Sequence, residues 1–452
     1  SSDLADFWAQ YDHMYIPELG HNVSVTDYAH TLYIRASWTD FNPQEDVYGW
    51  KIDSNLRAYI EGAYQRNMRL AFRVVVDSRD KRTEFTPQFV KDAGAKGFMN
   101  KGKWSPYSDD PVFQKYYTKF VKALAKDFND PSKVEFIDGF GLGKWGEYHT
   151  MIYSTGDDTP KKAVFDWVTD IYSQAFDKVP VVINYHRWIG AGKDWVDDEH
   201  FAADSEEMLE EAIKKGYSLR HDAFGMTTYY GSWERRFAEK YRNICPIIME
   251  GGWIVKSHNY WQDPRGYRKD SHEDVRRGEF DDSKEAHVNM MDFRFGDTES
   301  WFKDAFDLVR RFLREGGYRL YPSEISLPLE VSKKTTPTIK HCWNNLGWGY
   351  CPTNIPQWNQ KYKVAFALLD SETNEVRYTF VDTDTDLSKW IKGSPVEYVF
   401  EPDMSKVETG TYVWAVGVVD RSNKDLVGLD IAAKGDILDS GWLKLSKVSI
   451  NK

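Results

Sequence analysis

Cysteine is almost absent from this chain, which has three in 452 residues. A disulfide framework is therefore excluded as the source of its stability. Cys245 lies in an apolar run and reads as a buried free thiol. Cys342 and Cys351, close together in "CWNNLGWGYC", could pair, although so few cysteines also suit a reducing compartment. Long hydrophobic runs are missing too, and none approaches the ~20 residues that cross a bilayer. Positive charge is in deficit: the formal net charge is −11, which excludes the basic stripe of a general nucleic-acid binder. The sequence has no internal repeat, no heptad and no low-complexity tract. It also has no H-E-x-x-H and no close pair of histidines, so neither a metal nor another cofactor is expected. No signal peptide is visible. The opening "SSDLADFW" reads as a mature end, and a secreted, periplasmic or cell-surface location is expected.

Aromatic residues are abundant instead, at 15 % of the chain with 18 Trp and 27 Tyr, more than core packing alone ordinarily needs. Flat rings that stack on the apolar faces of a ligand are one use for the excess, and a large aromatic core is the other.

Up to about residue 320 the pattern alternates short apolar runs with amphipathic stretches. Strands are predicted at 31–38, 69–76, 134–143, 179–186, 218–225, 245–252 and within 285–296. Helices are predicted at 52–67, 110–128, 161–176, 205–216, 233–242 and 300–317, with Asp110 capping the second ahead of Pro111. Strands apolar on both faces belong in a parallel sheet covered by helices. About seven strand–helix units favour a (β/α)8 TIM barrel over residues 1–320, with a first strand at 13–19 or upstream. From 321 to 452 the texture changes. Runs at 362–370, 375–382, 396–403 and 410–420, separated by turn residues, predict a C-terminal antiparallel β-sandwich.

Barrel chemistry sits at the C-terminal strand ends. Those ends carry Arg35 and Trp38; Arg73 and Asp77; Trp145, Glu147 and His149; Asn184 and His186; Arg220, His221 and Asp222; Glu250 and Trp253; and Asp292 and Arg294. Glu147, in "GLGKWGEYHT", is a lone carboxylate among glycines and aromatics. Glu250 ends "CPIIMEGG". With an unseen first strand counted, they fall on strands four and seven. Two carboxylates flanking one bond are what retaining glycoside hydrolysis requires. Arg35, Arg73 and Arg220, with Arg187 and Arg294 nearby, are either ion-pair partners of Asp77 and Asp222 or recognise an anionic sugar. Tyr230 follows the sixth strand. Trp188, Trp253 and Trp261 are candidate sugar platforms, with core packing as the alternative.

The stretch "RASWTDFNPQEDVYGWKIDSNLRAY" resembles the W-x-x-x-x-P-x-x-x-x-Y-x-W/F pattern of clan A glycoside hydrolases, among them the family 42 β-galactosidases. "MRLAFRVVVDS", "GFGLGKWGEYH", "RHDAFG" and "GGYRLYP" resemble bacterial proteins with a barrel followed by domain of unknown function 4832. The resemblance implies Glu147 as acid/base, Glu250 as nucleophile and Tyr230 as a neighbour of the nucleophile. Clan A has Asn before its acid/base residue; here Gly146 stands there, and Asn184 could take its place. The expected function is a retaining glycoside hydrolase acting on a plant or algal polysaccharide or oligosaccharide, with an anionic or sulfated galactan among the candidates. A non-catalytic carbohydrate-binding barrel and a polysaccharide lyase are the alternatives.

Overall fold

A computed structural model describes residues 2–193, 199–226, 229–252, 272–293 and 298–452. The chain divides into two compact units. The first comprises Ser1–Tyr241, Ile247–Ala286 and Met291–Arg310, and the second Arg242–Pro246, His287–Met290 and Arg311–Lys452.

The first unit is built on a seven-stranded sheet: β1 (Thr31–Ser37), β2 (Arg69–Val75), β3 (Val134–Asp138), β4 (Val181–Asn184), β5 (Ser218–Phe224), β6 (Ile247–Gly251) and β7 (Met290–Asp292), adjacent in that order. The five pairings from β1 to β6 are parallel. Helices separate the strands, among them α1 (Asn55–Gln65), α2 (Pro111–Phe128), α3 (Lys161–Ala175), α4 (Glu199–Lys214) and α5 (Ser232–Tyr241). Every residue of β4, β5 and β6 is buried, which explains their unbroken apolar character. Asp110 caps α2 by accepting from the Phe113 amide at 2.8 Å, with Pro111 in the first turn where no amide is needed. Ser54 caps α1 in the same way.

The sheet is curled. Arg35 on β1 donates to Glu250 on β6, yet five flat strand spacings would hold the two strands about 24 Å apart. Only rolling brings them within one side chain's reach, as in a TIM barrel. Two expectations need correction. Residues 13–19 supply no first barrel strand, because Met14–Ile16 pairs antiparallel with His21–Val23 in a separate hairpin. Among the described residues the sheet has seven strands, and the two glutamates follow its third and sixth strands. Their separation of three strands is unchanged.

The second unit carries two sheets. In one, β8 (Leu320–Ser326), β9 (Ile339–Asn345) and β12 (Val396–Phe400) are antiparallel. In the other, β14 (Leu443–Asn451), β13 (Gly410–Asp420), β10 (Tyr362–Asp370) and β11 (Val376–Asp382) are antiparallel neighbours. Glu330–Ser332 adds a parallel edge to β14. Ile339 and Trp343 from the first sheet share one buried cluster with Phe366, Trp414 and Ile450 from the second. β8, β9 and β14 were not among the predicted strands. Cys342 and Cys351 do not pair, and all three cysteines are free thiols.

Two outcomes are expected. Asp110→Ala removes the α2 cap and should lower stability by about 1–2 kcal/mol in denaturant titration. Thiol titration of the denatured, unreduced protein should find three reactive groups per chain, one for each cysteine in the sequence.

Candidate active site

Side chains alternate between the two faces of a strand, and the inner face collects an unusual number of charges. Tyr33 and Arg35 come from β1, Arg73 from β2, Asp138 from β3, Asn184 from β4, Arg220 and Asp222 from β5, and Glu250 from β6. Arg35 and Arg73 are register partners. Between β5 and β6 the register shifts after Met249, so that Asp222 and Ala223 face the single residue Glu250. Such an irregularity re-aims side chains and is common beside functional sites.

Arg73 and Arg220 are both 0 % exposed. Arg73 contacts Asp138 at 3.2 Å, Asp222, Glu250 at 3.3 Å and Glu147 at 3.6 Å. Arg220 contacts Asp222, Glu250 and, at 3.7 Å, Asp138. Arg35, 26 % exposed, joins Glu250 and lies 3.8 Å from Glu147. Each of two guanidiniums, Arg35 and Arg73, thus reaches both glutamates. The Tyr33 hydroxyl donates to Asp138 and accepts from Arg73 Nε at 3.0 Å. Burial alone would raise the Asp222 carboxyl, but Arg73 and Arg220 outweigh it and hold Asp222 well below the usual carboxylate range. Burial raises the Tyr33 phenol, keeping it a neutral donor.

Glu147 follows a loop of strained backbone. Trp145, Tyr148 and Thr150 all have positive φ, between 50° and 62°. Gly141, at φ 77°, lies where a Cβ would come within 2.2 Å of the Val74 carbonyl. The Glu147 backbone carbonyl is held from β4's end: His186 Nε2 donates to it at 2.8 Å and Asn184 Nδ2 lies at 3.4 Å. The Trp188 amide donates to His186 Nδ1, which fixes the tautomer with the proton on Nε2. The Glu147 carboxylate meets His149 Nε2 at 3.1 Å. Although its chain neighbours are glycines and aromatics, Glu147 faces His149 and two guanidiniums. Tyr148 turns away to pack on Phe140 and Phe165, while Trp145 lies against His149.

The structure therefore gathers Glu147, Glu250, Arg35, Arg73, Arg220, Asp222, Asn184, His149, His186 and Trp145. It does not bring three of the expected site residues to this cluster. Trp38 is fully buried among Phe89, Phe113, Tyr117 and Phe120. His221 packs against Tyr185, Phe224 and Tyr230, on the face opposite Arg220 and Asp222. The Tyr230 hydroxyl bonds Tyr185, in place of the nucleophile contact expected of it. Trp253, Trp261 and Arg294 lie outside the described residues. Of the two roles open to the arginines, internal ion pairs or recognition of an anionic sugar, the structure shows the first, with Asp222 among the partners. Arg73 and Arg220 hold carboxylates, and Arg187 grips Glu234 with contacts of 2.9 and 2.8 Å. Asp77 pairs with Arg79, not with the cluster. Sequence reasoning missed Tyr33 and Asp138. Each lies two residues from a recognised feature or inside an apolar strand, and that spacing was the available signal. Among the described residues no group of three or more His, Cys, Asp or Glu side chains is placed to hold a metal ion. Nor is any described helix long and apolar enough to cross a membrane.

No protein-family model and no curated protein matches the chain. Solved structures similar to it include an endo-β-1,4-mannanase from Thermotoga petrophila, with 12 % identity, TM-score 0.39, and coverage of 95 % of this chain and 94 % of that one. Endo-glycoceramidase II from Rhodococcus sp., captured as a lactosyl-enzyme intermediate, gives 14 %, 0.37, 84 % and 91 %. An exo-β-1,4-mannosidase from an Opitutaceae bacterium gives 12 %, 0.37, 66 % and 51 %. The resemblance to family 42 β-galactosidases and to domain of unknown function 4832 finds no counterpart among these.

Two measurements probe the site. Arg220→Met leaves buried carboxylates without their cation and should cost about 3–5 kcal/mol in denaturant titration. Burial holds the His221 imidazole well below its ordinary value of 6.5. Below pH 6.5 the unfolded chain takes up a proton that the folded chain refuses, so stability falls with pH there. Replacing His221 by Gln should flatten the pH dependence of unfolding by up to about 1.4 kcal/mol per pH unit between roughly pH 6 and pH 5.

Proposed function

We propose that the protein is a retaining glycoside hydrolase, with Glu147 as general acid/base and Glu250 as nucleophile. One observation carries the reading: two carboxylates from the third and sixth strand ends meet the same two guanidiniums, Arg35 and Arg73. In the first step the Glu250 carboxylate attacks the anomeric carbon while Glu147 delivers a proton to the departing glycosidic oxygen. The carbon–oxygen bond breaks and a glycosyl ester forms on Glu250. In the second step Glu147 takes a proton from water, the hydroxide attacks the same carbon, and the ester bond breaks. Sugar leaves with retained configuration and both glutamates return to their starting forms. Arg35 and Arg73 keep Glu250 an anion between turnovers. Asn184 and His186 fix the backbone of Glu147, and His149 orients its carboxylate. A plant or algal polysaccharide or oligosaccharide is the substrate class, which suits a protein working outside the cytoplasm. β-Galactosidase specificity has no support beyond the sequence resemblance.

A second reading rests on the burial of Glu250, which is 1 % exposed and in contact with three guanidiniums. An ion-pair lattice of this kind can serve purely to hold strands together. The barrel would then bind glycan without cleaving it.

Mutation separates the two. Glu147→Gln should lower polysaccharide hydrolysis by about 10²–10⁴-fold but spare the first step with activated aryl glycosides, and azide should restore turnover with retained configuration. Glu250→Gln should abolish both activities. Hydrolysis near wild type in the Glu147→Gln protein rules out the assignment. Absence of turnover by the wild type across a polysaccharide and aryl-glycoside screen favours the binding barrel.

A further inference from the structure

Beside this lattice stands a cation with no ion-pair partner among the described residues. Lys81 lies in the loop after β2, half-buried, its ammonium 5.2 Å from the Phe85 ring centroid. The loop is fixed. The Ser78 hydroxyl donates to the Trp104 carbonyl and accepts from the Phe85 amide, at 2.8 and 2.9 Å, and the Lys81 amide donates to the Ser78 carbonyl at 3.1 Å. It is also stitched to the loop carrying Glu147, because Arg79 donates to the Thr150 carbonyl and Asp80 pairs with Lys144 at 3.0 Å. Lys81 is thereby placed within electrostatic reach of Arg35, Glu147 and Arg73.

The acids near it in sequence are taken. Asp80 serves Lys144 and, at 3.9 Å, Lys101. Glu84 accepts the Trp104 amide with both oxygens, at 3.1 and 2.9 Å. Burial lowers the Lys81 ammonium below its ordinary value, and Arg35 pushes the same way. Its position is thus held against an electrostatic cost.

The local charges explain what that cost serves. Arg35, Arg73 and Arg220 pair with Asp138, Asp222, Glu147 and Glu250, whereas Lys81, within electrostatic reach of Glu147, forms no ion pair among the described residues. Arg73 and Arg220 are sealed among carboxylates and Arg35 is bonded to Glu250. Lys81 is the neighbouring cation that remains available to a ligand. We propose that Lys81 is an anion-recognition residue of this cleft and holds the carboxylate or sulfate of an acidic sugar bound beside Glu147. The proposal rests on the glycosidase reading for the location of the sugar, and it replaces the engaged arginines as the basis for an acidic substrate.

The test is calorimetric and needs no turnover. Disaccharides containing glucuronate or galacturonate, a 6-sulfated galactose disaccharide, and their neutral counterparts are titrated into the full chain and into its Lys81→Met and Lys81→Arg variants. The wild type should bind at least one acidic probe about ten-fold tighter than its neutral counterpart, the weight of one charge-assisted hydrogen bond. Which probe binds separates uronate from sulfate recognition. Lys81→Met should remove the preference while leaving neutral affinity unchanged, and Lys81→Arg should keep it. Equal binding of acidic and neutral probes by the wild type, or a preference that survives Lys81→Met, overturns the proposal. Hydrolysis that depends on Glu147 alongside absent acidic preference overturns only the Lys81 assignment. A Lys81-dependent preference in a chain whose hydrolysis ignores Glu147 overturns only the glycosidase reading.

Discussion

A guanidinium sealed from water must be surrounded by acceptors, and Arg73 imposes that requirement on the whole barrel. Removing such an ion from water costs several kcal/mol even after the protein relaxes. Arg73 is matched by Asp138, Asp222, Glu250 and Glu147, which come from or after three different strands. Arg220 repeats the demand on three of them. The strands can satisfy both cations only when the sheet is rolled so that β1 and β6 approach. The lattice therefore specifies curvature and register more than it adds stability. A slip of one residue in β5 would turn Arg220 and Asp222 outward and leave Arg73 short of a carboxylate.

The same lattice sets what the site can do. Both glutamates are held by cations before any ligand arrives, so neither can adopt a new rotamer without breaking an ion pair. A site of this kind is preorganised, and the reorganisation that water would require during charge movement is already complete. It is also poorly suited to binding anions through its arginines, because those charges are already satisfied. The crowding of arginines at the strand ends admitted, in sequence, either internal ion pairs or an anion site. The geometry turns most of it into internal pairing, and the lysine of a neighbouring loop has no ion-pair partner among the described residues.

The alternation of apolar strands and amphipathic helices was legible because burial on both faces leaves a continuous apolar run, and β2, β5 and β6 appear where that pattern puts them. Glu147 and Glu250 were legible as carboxylates after such runs. Other features were not readable because their causes are non-local. Nothing near Asp138 in the chain announces that Arg73 and Arg220 close on it from other strands. His221 was misassigned despite a readable signal: it sits between Arg220 and Asp222, and strand parity sends it to the opposite face. Trp38 stands at the first turn of a short helix, not at a strand end, and its ring turns into the core. In the second unit, β8 carries Pro322 and Ser323, which made a real strand look like a linker.

The left-handed residues around Glu147 have a consequence for how the molecule forms. Trp145, Tyr148 and Thr150 each occupy backbone geometry that costs about 1–3 kcal/mol outside glycine, against which the loop sets its own hydrogen bonds, such as the Tyr148 amide to the Leu142 carbonyl at 2.9 Å and the Lys144 amide to the His149 carbonyl at 3.1 Å. Further support comes from outside the loop: Asn184 and His186 at the end of β4 grip the Glu147 carbonyl, and Gly190 donates to the Tyr148 carbonyl. The loop must therefore settle after β3 and β4 are paired. Glu147 reaches its final place only once the strand ends around it are formed, so its position reports on the completed sheet.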